Sequence, residues 1–297
     1  MPLDELCALI ARHARPDTTT AIEDVHIAAI DHAGPAAPEM SGTALALITQ
    51  GAKRIAAGDR VYEYRAGQYL IASIDMPITG RFTLASPRTP ALGLAMTLRP
   101  AAVAELLLQA APGDIPPLGG PAPSGLAVGT AGPELLDAAL RLVRLLDHPR
   151  DIAVLAPGIR REVLWRLITG EQGAAVRQLG LADSSLTHIA RSVRWIRDNY
   201  SESFRVEDLA RQSGMSVSAF YRNFNAVTAL SPIQFQKQIR LQHAHLLLAA
   251  GPGDIAGIAR RVGYDSPSQF SREYRRHFGT TPRQQFQTTT PDRQVHR

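Results

Sequence analysis

Hydrophobic and polar positions follow two different periods along the chain. Between residues 21 and 98 apolar residues come in short runs broken by turn formers. Leu45-Ala46-Leu47-Ile48 is followed by Gly51, and Arg54-Ile55-Ala56 by Gly58-Asp59. Val61-Tyr62-Glu63-Tyr64 leads to Gly67, then comes Tyr69-Leu70-Ile71-Ala72, and further runs end at Leu84 and Leu98. Strands at this spacing predict a sandwich or barrel. From Pro100 the period becomes helical. Helices are predicted over 101–110, 133–146, 158–168 and 174–181, with the Pro- and Gly-rich stretch 112–125 as a surface loop. Leu135, Ala138, Ala139 and Leu142, and Val163 with Val163+4 (Leu167), form apolar stripes. Such stripes either cover the barrel, which is the preferred reading, or form a dimer surface.

Beyond residue 185 a pattern of about 50 residues occurs twice. Val206, Leu209 and Ala210 stand at i, i+3 and i+4, followed by Gly214 and by Phe220 and Phe224. Ile255, Ile258 and Ala259 repeat that spacing, followed by Gly263 and by Phe270 and Tyr274. Each copy reads as a helix-turn-helix. The small Ala210 and Ala259 let two short helices cross closely. Gly214 and Gly263 tolerate the positive φ of a tight turn. Ser216 and Ser266 cap the second helix, and Pro267 occupies a first helical position where its missing N–H is harmless. One copy alone is weak evidence; two copies in register are specific. Arg205 precedes the first helix of the first unit without a capping hydroxyl, which costs about 1 kcal/mol locally.

The second helix of each unit keeps a polar outer face. Ser218, Tyr221, Arg222 and Asn225 lie away from Phe220 and Phe224, and Ser268, Gln269, Arg272 and Arg276 do so in the other copy. These types suit base edges in a major groove: Arg pairs with guanine, Asn or Gln with adenine, Ser with either. Between the units, Ser231-Pro232 opens a long helix with Phe235, Ile239 and Leu246 on one stripe, able to hold both units at a fixed distance.

Charge agrees with this division. Residues 1–185 carry 16 basic and 19 acidic side chains, a net of −3, whereas residues 186–297 carry 16 basic and 8 acidic, a net of +8. Apart from Lys237, every basic residue of the second part is Arg. A basic half of this kind predicts a polyanionic partner, double-stranded DNA. The single cysteine, Cys7, excludes an intrachain disulfide. No leader-like run or apolar stretch of 18 residues is seen, so the sequence predicts a cytoplasmic protein without a membrane partner.

The repeat also resembles a known family. Gly257-Ile258-Ala259-Arg260-Arg261-Val262-Gly263-Tyr264, then Ser268-Gln269-Phe270-Ser271-Arg272-Glu273-Tyr274-Arg275-Arg276-His277-Phe278-Gly279 with Thr281-Pro282, is similar to the signature of AraC-type regulators. Val206-Glu207-Asp208-Leu209-Ala210 with Gly214-Met215-Ser216 resembles the family's first unit, and Ser231-Pro232 with Arg240-Leu241 its connecting helix. Upstream, Gln50-Gly51-Ala52-Lys53, Gly58-Asp59, the run from Tyr64 to Leu70 and Pro77-Ile78-Thr79-Gly80 resemble the cupin-like N-terminal domain of one AraC subgroup. The resemblance implies an α+β chain: a cupin-like β-barrel with flanking helices over 1–184, for sensing or dimerisation, and an all-α double helix-turn-helix over 185–297. It further implies a promoter-binding regulator, more often an activator, that works as a homodimer and meets RNA polymerase. The first unit would read bases, and the second would contact mainly the backbone.

Cupin-like barrels are often metalloenzymes, so catalysis needs testing. Metal-binding cupins use a His-x-His pair, yet the strand region holds only His26 and His32. His243 and His245 have that spacing, but on a helix they lie about 200° apart and are expected as exposed residues. No Gly-x-Ser-x-Gly, phosphate loop or dinucleotide fingerprint is present. The chain is therefore read as a non-enzyme without a cofactor or metal. A small-molecule effector would use the barrel mouth, with Lys53, Arg54, Tyr62, Tyr64 and Arg81 as candidate polar groups; strand alternation sends only some of them inward. The alternative is a barrel that serves as a protein-interaction module without a ligand.

Overall fold

The computed structural model describes residues 2–111, 113–115, 124–181, 185–250 and 254–289. Most of the loop expected over 112–125 lies outside the described residues. By compactness the chain divides into two units: Met1–Arg191 with Tyr221–Leu230, and Ser192–Phe220 with Ser231–Arg297.

The first unit opens with helix α1 (Pro2–His13), which buries Leu6, Leu9 and Ile10. Eight strands follow: β1 (Val25–Ile30), β2 (Ala37–Met40), β3 (Ala44–Gln50), β4 (Ala52–Ala57), β5 (Arg60–Arg65), β6 (Gln68–Ala72), β7 (Pro77–Leu84) and β8 (Ala91–Thr97). Helix α2 (Pro100–Gln109) begins on a proline, as its sequence predicts, and a ninth strand, β9 (Leu126–Thr130), comes after it. The strands pair antiparallel into two sheets, one in the order β1-β8-β3-β6-β9 and one in the order β2-β7-β4-β5. The α+β architecture is the expected one, with its strands set in two sheets rather than in one closed hydrogen-bonded barrel.

The larger sheet uses its two faces differently. Ile27, Leu45, Leu47, Ile71, Leu92, Leu94 and Met96 enter one core with α1 and with α3 (Pro133–Arg144) and α4 (Ile152–Thr169). Each such side chain contributes about 1.5–3 kcal/mol when fully buried. Leu135, Ala138, Ala139 and Leu142 of α3 and Val163 and Leu167 of α4 belong to this core. Their stripes thus cover the sheet instead of forming a free dimer surface. Helix α4 begins six residues before the predicted start, because Pro157 lies inside it rather than opening it. Helix α5 (Gly173–Gly180) supplies Arg177, only 6% exposed, whose Nη1 donates to the Ile168 carbonyl at 2.7 Å. That bond satisfies one of the acceptors left open at the end of α4.

The second half of the chain is helical: α6 (Ser185–Asp198), α7 (Val206–Gln212), α8 (Val217–Thr228), α9 (Pro232–Ala249), α10 (Ile255–Arg261), α11 (Pro267–Phe278) and α12 (Pro282–Thr289). The residues Tyr221–Leu230, which include the later part of α8, cluster with the first unit. Within that unit the Gly125 N–H donates to the Val227 carbonyl at 2.8 Å, and Arg60 Nη1 to the Ala226 carbonyl at 3.1 Å.

Candidate functional site

The two turns are built alike. In the first, Gly214 has φ of 65°, its N–H donates to the Arg211 carbonyl at 3.0 Å, and the Met215 N–H donates to the Ala210 carbonyl at 2.9 Å. In the second, Gly263 has φ of 86°, its N–H donates to the Arg260 carbonyl at 3.0 Å, and the Tyr264 N–H donates to the Ala259 carbonyl at 2.9 Å. Ala210 and Ala259 are both buried, as a close crossing requires. The caps also match the sequence: the Ser216 hydroxyl accepts from Ala219 N–H and the Ser266 hydroxyl from Gln269 N–H. Arg205 contributes no side-chain cap to α7. Asp254, unnoticed in the sequence, caps α10 through the Ala256 and Gly257 N–H groups.

On α8, Phe220 and Phe224 are fully buried while Ser218, Tyr221, Arg222 and Asn225 are exposed. On α11, Phe270 and Tyr274 are buried and Ser268, Gln269, Arg272 and Arg276 are exposed. Each helix therefore presents the polar face that groove reading needs. Gln269 is also engaged within its own helix, donating to Glu273 Oε1 at 3.2 Å. The same carboxylate receives Lys237 Nζ at 3.0 Å and the Tyr264 hydroxyl at 2.8 Å. Burial works to raise its pKa, but these donors together hold it below the usual glutamate range.

Helix α9 opens with the expected cap, here a full capping box between Ser231 and Gln234. Its predicted stripe needs correction. Phe235 and Ile239 are buried, whereas Leu246 is 65% exposed. The later half of α9 instead turns Leu241, Ala244 and Leu248 into the core of the second helix-turn-helix. From the same helix Arg240 reaches four backbone carbonyls: Tyr200 through Nε at 2.6 Å, Gly263 through Nη1 at 2.6 Å, and Ser201 and Glu202 through Nη2 at 3.2 and 3.1 Å. Gln236 donates to the Tyr200 and Glu202 carbonyls as well.

The two histidines of α9 are not exposed as expected. His243 stacks on Tyr200 with ring centroids 4.1 Å apart, and His245 Nδ1 lies 2.8 Å from the Tyr274 hydroxyl. They face different neighbours, and burial lowers the pKa of both. Among the described residues no group of three or more His, Cys, Asp or Glu is arranged to hold a metal. His26 and His32 lie far from His243 and His245 in sequence, and His32 bonds its neighbour Asp31 at 2.7 Å.

In the first unit, the structure brings two of the five candidate effector residues together. Lys53 and Tyr64 are cross-strand partners on β4 and β5, and Lys53 also faces Phe82 of β7. All three line a cavity of about 270 Å3 between the sheets. Arg54 and Arg81 are register partners on the opposite, exposed face and so lie outside it. Tyr62 shares the inward face with Tyr64 but bonds Ser124 at 3.0 Å instead of lining the cavity. Glu39, overlooked in the sequence, reaches the cavity from β2 and pairs with Lys53 Nζ at 2.9 Å. An acidic residue on a short edge strand carries little signal in the sequence.

Comparison with known proteins finds a family for each of these two parts. The family described as AraC-type transcriptional regulator N-terminus matches residues 21–175, and a helix-turn-helix domain family matches residues 209–288. The chain belongs to the AraC-type transcriptional regulators. Among AraC-type relatives, the virulence regulon transcriptional activator VirF of Yersinia enterocolitica is 31% identical over 166 residues, covering 54% of this chain and 59% of VirF. The HTH-type transcriptional regulator ExsA of Pseudomonas aeruginosa is 30% identical over 160 residues, covering 53% of this chain and 56% of ExsA. The chain thus spans less than two thirds of the length of the curated relatives it matches. A crystal structure of an apo ToxT variant from Vibrio cholerae has the same fold, with a TM-score of 0.52 at 11% identity over 90% of this chain and 98% of that one. No described helix of this AraC-type chain is long and apolar enough to cross a membrane.

Proposed function

We propose that this AraC-type protein is a sequence-specific DNA-binding regulator that activates transcription from its target promoters in response to a small molecule bound by its first unit. The observation that carries the DNA reading is the repeated turn, which leaves a polar, arginine-bearing face exposed on both α8 and α11. Arg222 and Arg272 supply the bidentate donors suited to guanine, and Ser218, Tyr221, Asn225, Ser268, Gln269 and Arg276 complete the two faces. The activator assignment draws on VirF, whose name describes a transcriptional activator. A homodimer and contact with RNA polymerase complete this reading of how a bound regulator raises promoter output. The cavity at Lys53 and Tyr64 favours an effector over a first unit that serves only as a protein-interaction module.

Footprinting on genomic fragments at fixed salt tests the proposal. Two protected patches about 10 base pairs apart are expected, one helical turn of DNA. Salt-sensitive binding without a preferred site would leave only a polyanion-binding surface. Promoter–reporter output with and without the regulator then separates activation from repression.

A further inference from the structure

The cavity between the sheets has a distinct construction. The larger sheet sends many of its bulky residues to the helices, and alternation leaves Ala28, Ala46, Gly93 and Ala95, together with Ile48 and His26, on the face toward the smaller sheet. Ala28, Ala46, Gly93 and Ala95 are only partly buried and line the cavity, although a Cβ at Gly93 would already meet the Leu47 carbonyl oxygen at 3.2 Å. The opposite wall carries the chemistry. Tyr64 is 1% exposed, lines the cavity, and its hydroxyl has no hydrogen-bond partner among the described residues. The hydroxyl is not one of the sealed polar atoms that lack a partner, so it opens onto the cavity and can donate to an acceptor placed there. Lys53, whose ammonium lies 5.4 Å from the Phe82 ring centre, is already neutralised by Glu39 at 2.9 Å. The polar groups of the cavity are therefore the Tyr64 hydroxyl and the Lys53–Glu39 ion pair, with the exposed His26 and the half-buried Thr18 also on its lining.

Building on the effector reading above, we infer that this cavity binds a compact, uncharged, mainly apolar molecule bearing one hydroxyl or carbonyl oxygen, which accepts a hydrogen bond from Tyr64. The volume lies just below the range of about 300–1,000 Å3 common for ligand clefts, which restricts the occupant to roughly a single small ring or a short chain. Burial raises the Tyr64 pKa, so the phenol stays protonated and keeps its donor. A carboxylate ligand would have to compete with Glu39 for Lys53, and an ammonium ligand would meet Lys53 itself.

The test compares three probes on one ring: benzyl alcohol, toluene and benzoate. Binding to the full chain is followed by calorimetry and by the shift in melting temperature. Benzyl alcohol is expected to bind more tightly than both toluene and benzoate. Tyr64→Phe, which removes only the hydroxyl, should weaken benzyl alcohol several-fold, up to about tenfold, and leave toluene unchanged. Ala95→Leu, which fills the space, should abolish binding of all three. Tighter binding of benzoate would overturn the inference in favour of an anion site at Lys53, and binding of none of the probes by the folded protein would overturn it outright. Operator footprinting of the same preparations keeps the two readings apart: intact footprints without probe binding reject the ligand class alone, and lost footprints reject the DNA reading.

Discussion

Arg240 Nη1 donates to the backbone carbonyl of Gly263 at 2.6 Å, joining the connecting helix to the turn of the second helix-turn-helix. The same guanidinium holds the carbonyls of Tyr200, Ser201 and Glu202, which lie between α6 and α7. One planar fork thus ties the segment leading into the first helix-turn-helix to the turn of the second. Lysine, a single point donor, has no comparable geometry.

Arg240→Ala should therefore destabilise the chain by about 2–4 kcal/mol, since several carbonyls lose a charged donor at once. Arg240→Lys should restore only part of that loss. Thermal or urea unfolding measures both variants. Full stability in Arg240→Ala would show that water replaces the guanidinium without loss.

The two turn glycines should respond differently to alanine. Both have positive φ, which disfavours an L side chain by about 1–2 kcal/mol. A Cβ at Gly214 meets nothing within 4 Å, so Gly214→Ala should lose only that amount. A Cβ at Gly263 would collide with the Ser201 carbonyl oxygen and approach Arg240 Cζ at 2.9 Å, so Gly263→Ala should lose clearly more. Equal losses in unfolding experiments would mean that the Ser201 segment yields freely.

Arg222 tests base reading. Arg222→Ala should weaken specific operator binding by about 1–3 kcal/mol relative to non-specific DNA, the discrimination of one bidentate Arg–guanine contact. Competition binding at fixed salt measures the ratio. Equal loss on both kinds of DNA would assign Arg222 to phosphate.

Stability should also fall with acid through the histidines of α9. Burial sets the folded-state pKa of His243 and His245 below the unfolded value of about 6.5. Their contribution is complete above that unfolded value and is lost as pH falls through the lower folded values, because the unfolded chain takes up protons first. Melting temperatures at pH 7.5 and 5.5 should differ more for the natural chain than for a His243→Phe, His245→Gln variant. The same pH dependence in both proteins would remove these histidines as its source.

Local patterns carried much of this architecture. The repeated spacing of Ala210, Gly214 and Phe220 with Ala259, Gly263 and Phe270 announced both turns, because a helix-turn-helix depends on residues close in sequence. The strands between residues 21 and 98 were visible for the same reason. Helix α1 lies outside the predicted elements, although Leu6, Leu9 and Ile10 carry its helical spacing. Lys53 could have been told from Arg54, since Lys53 shares strand parity with Ile55, a buried residue. The settings of His243 and His245 were beyond local reading. They depend on Tyr200 and Tyr274, which are 43 and 29 residues away and meet them only through tertiary packing. Leu246 misled for a related reason, because α9 changes its buried face along its length.

The Ala28, Ala46, Gly93 and Ala95 wall stands apart from the bulky core that joins the sheet to its helices. Exchanging one of the three alanines for a slightly larger residue reshapes the cavity, whereas at Gly93 a Cβ already meets the Leu47 carbonyl oxygen at 3.2 Å. Cavity shape and structural integrity are thus written in alternate positions of the same strands. Substitutions at the alanines can therefore alter the shape of the cavity in methyl-sized steps while the core between sheet and helices keeps its packing.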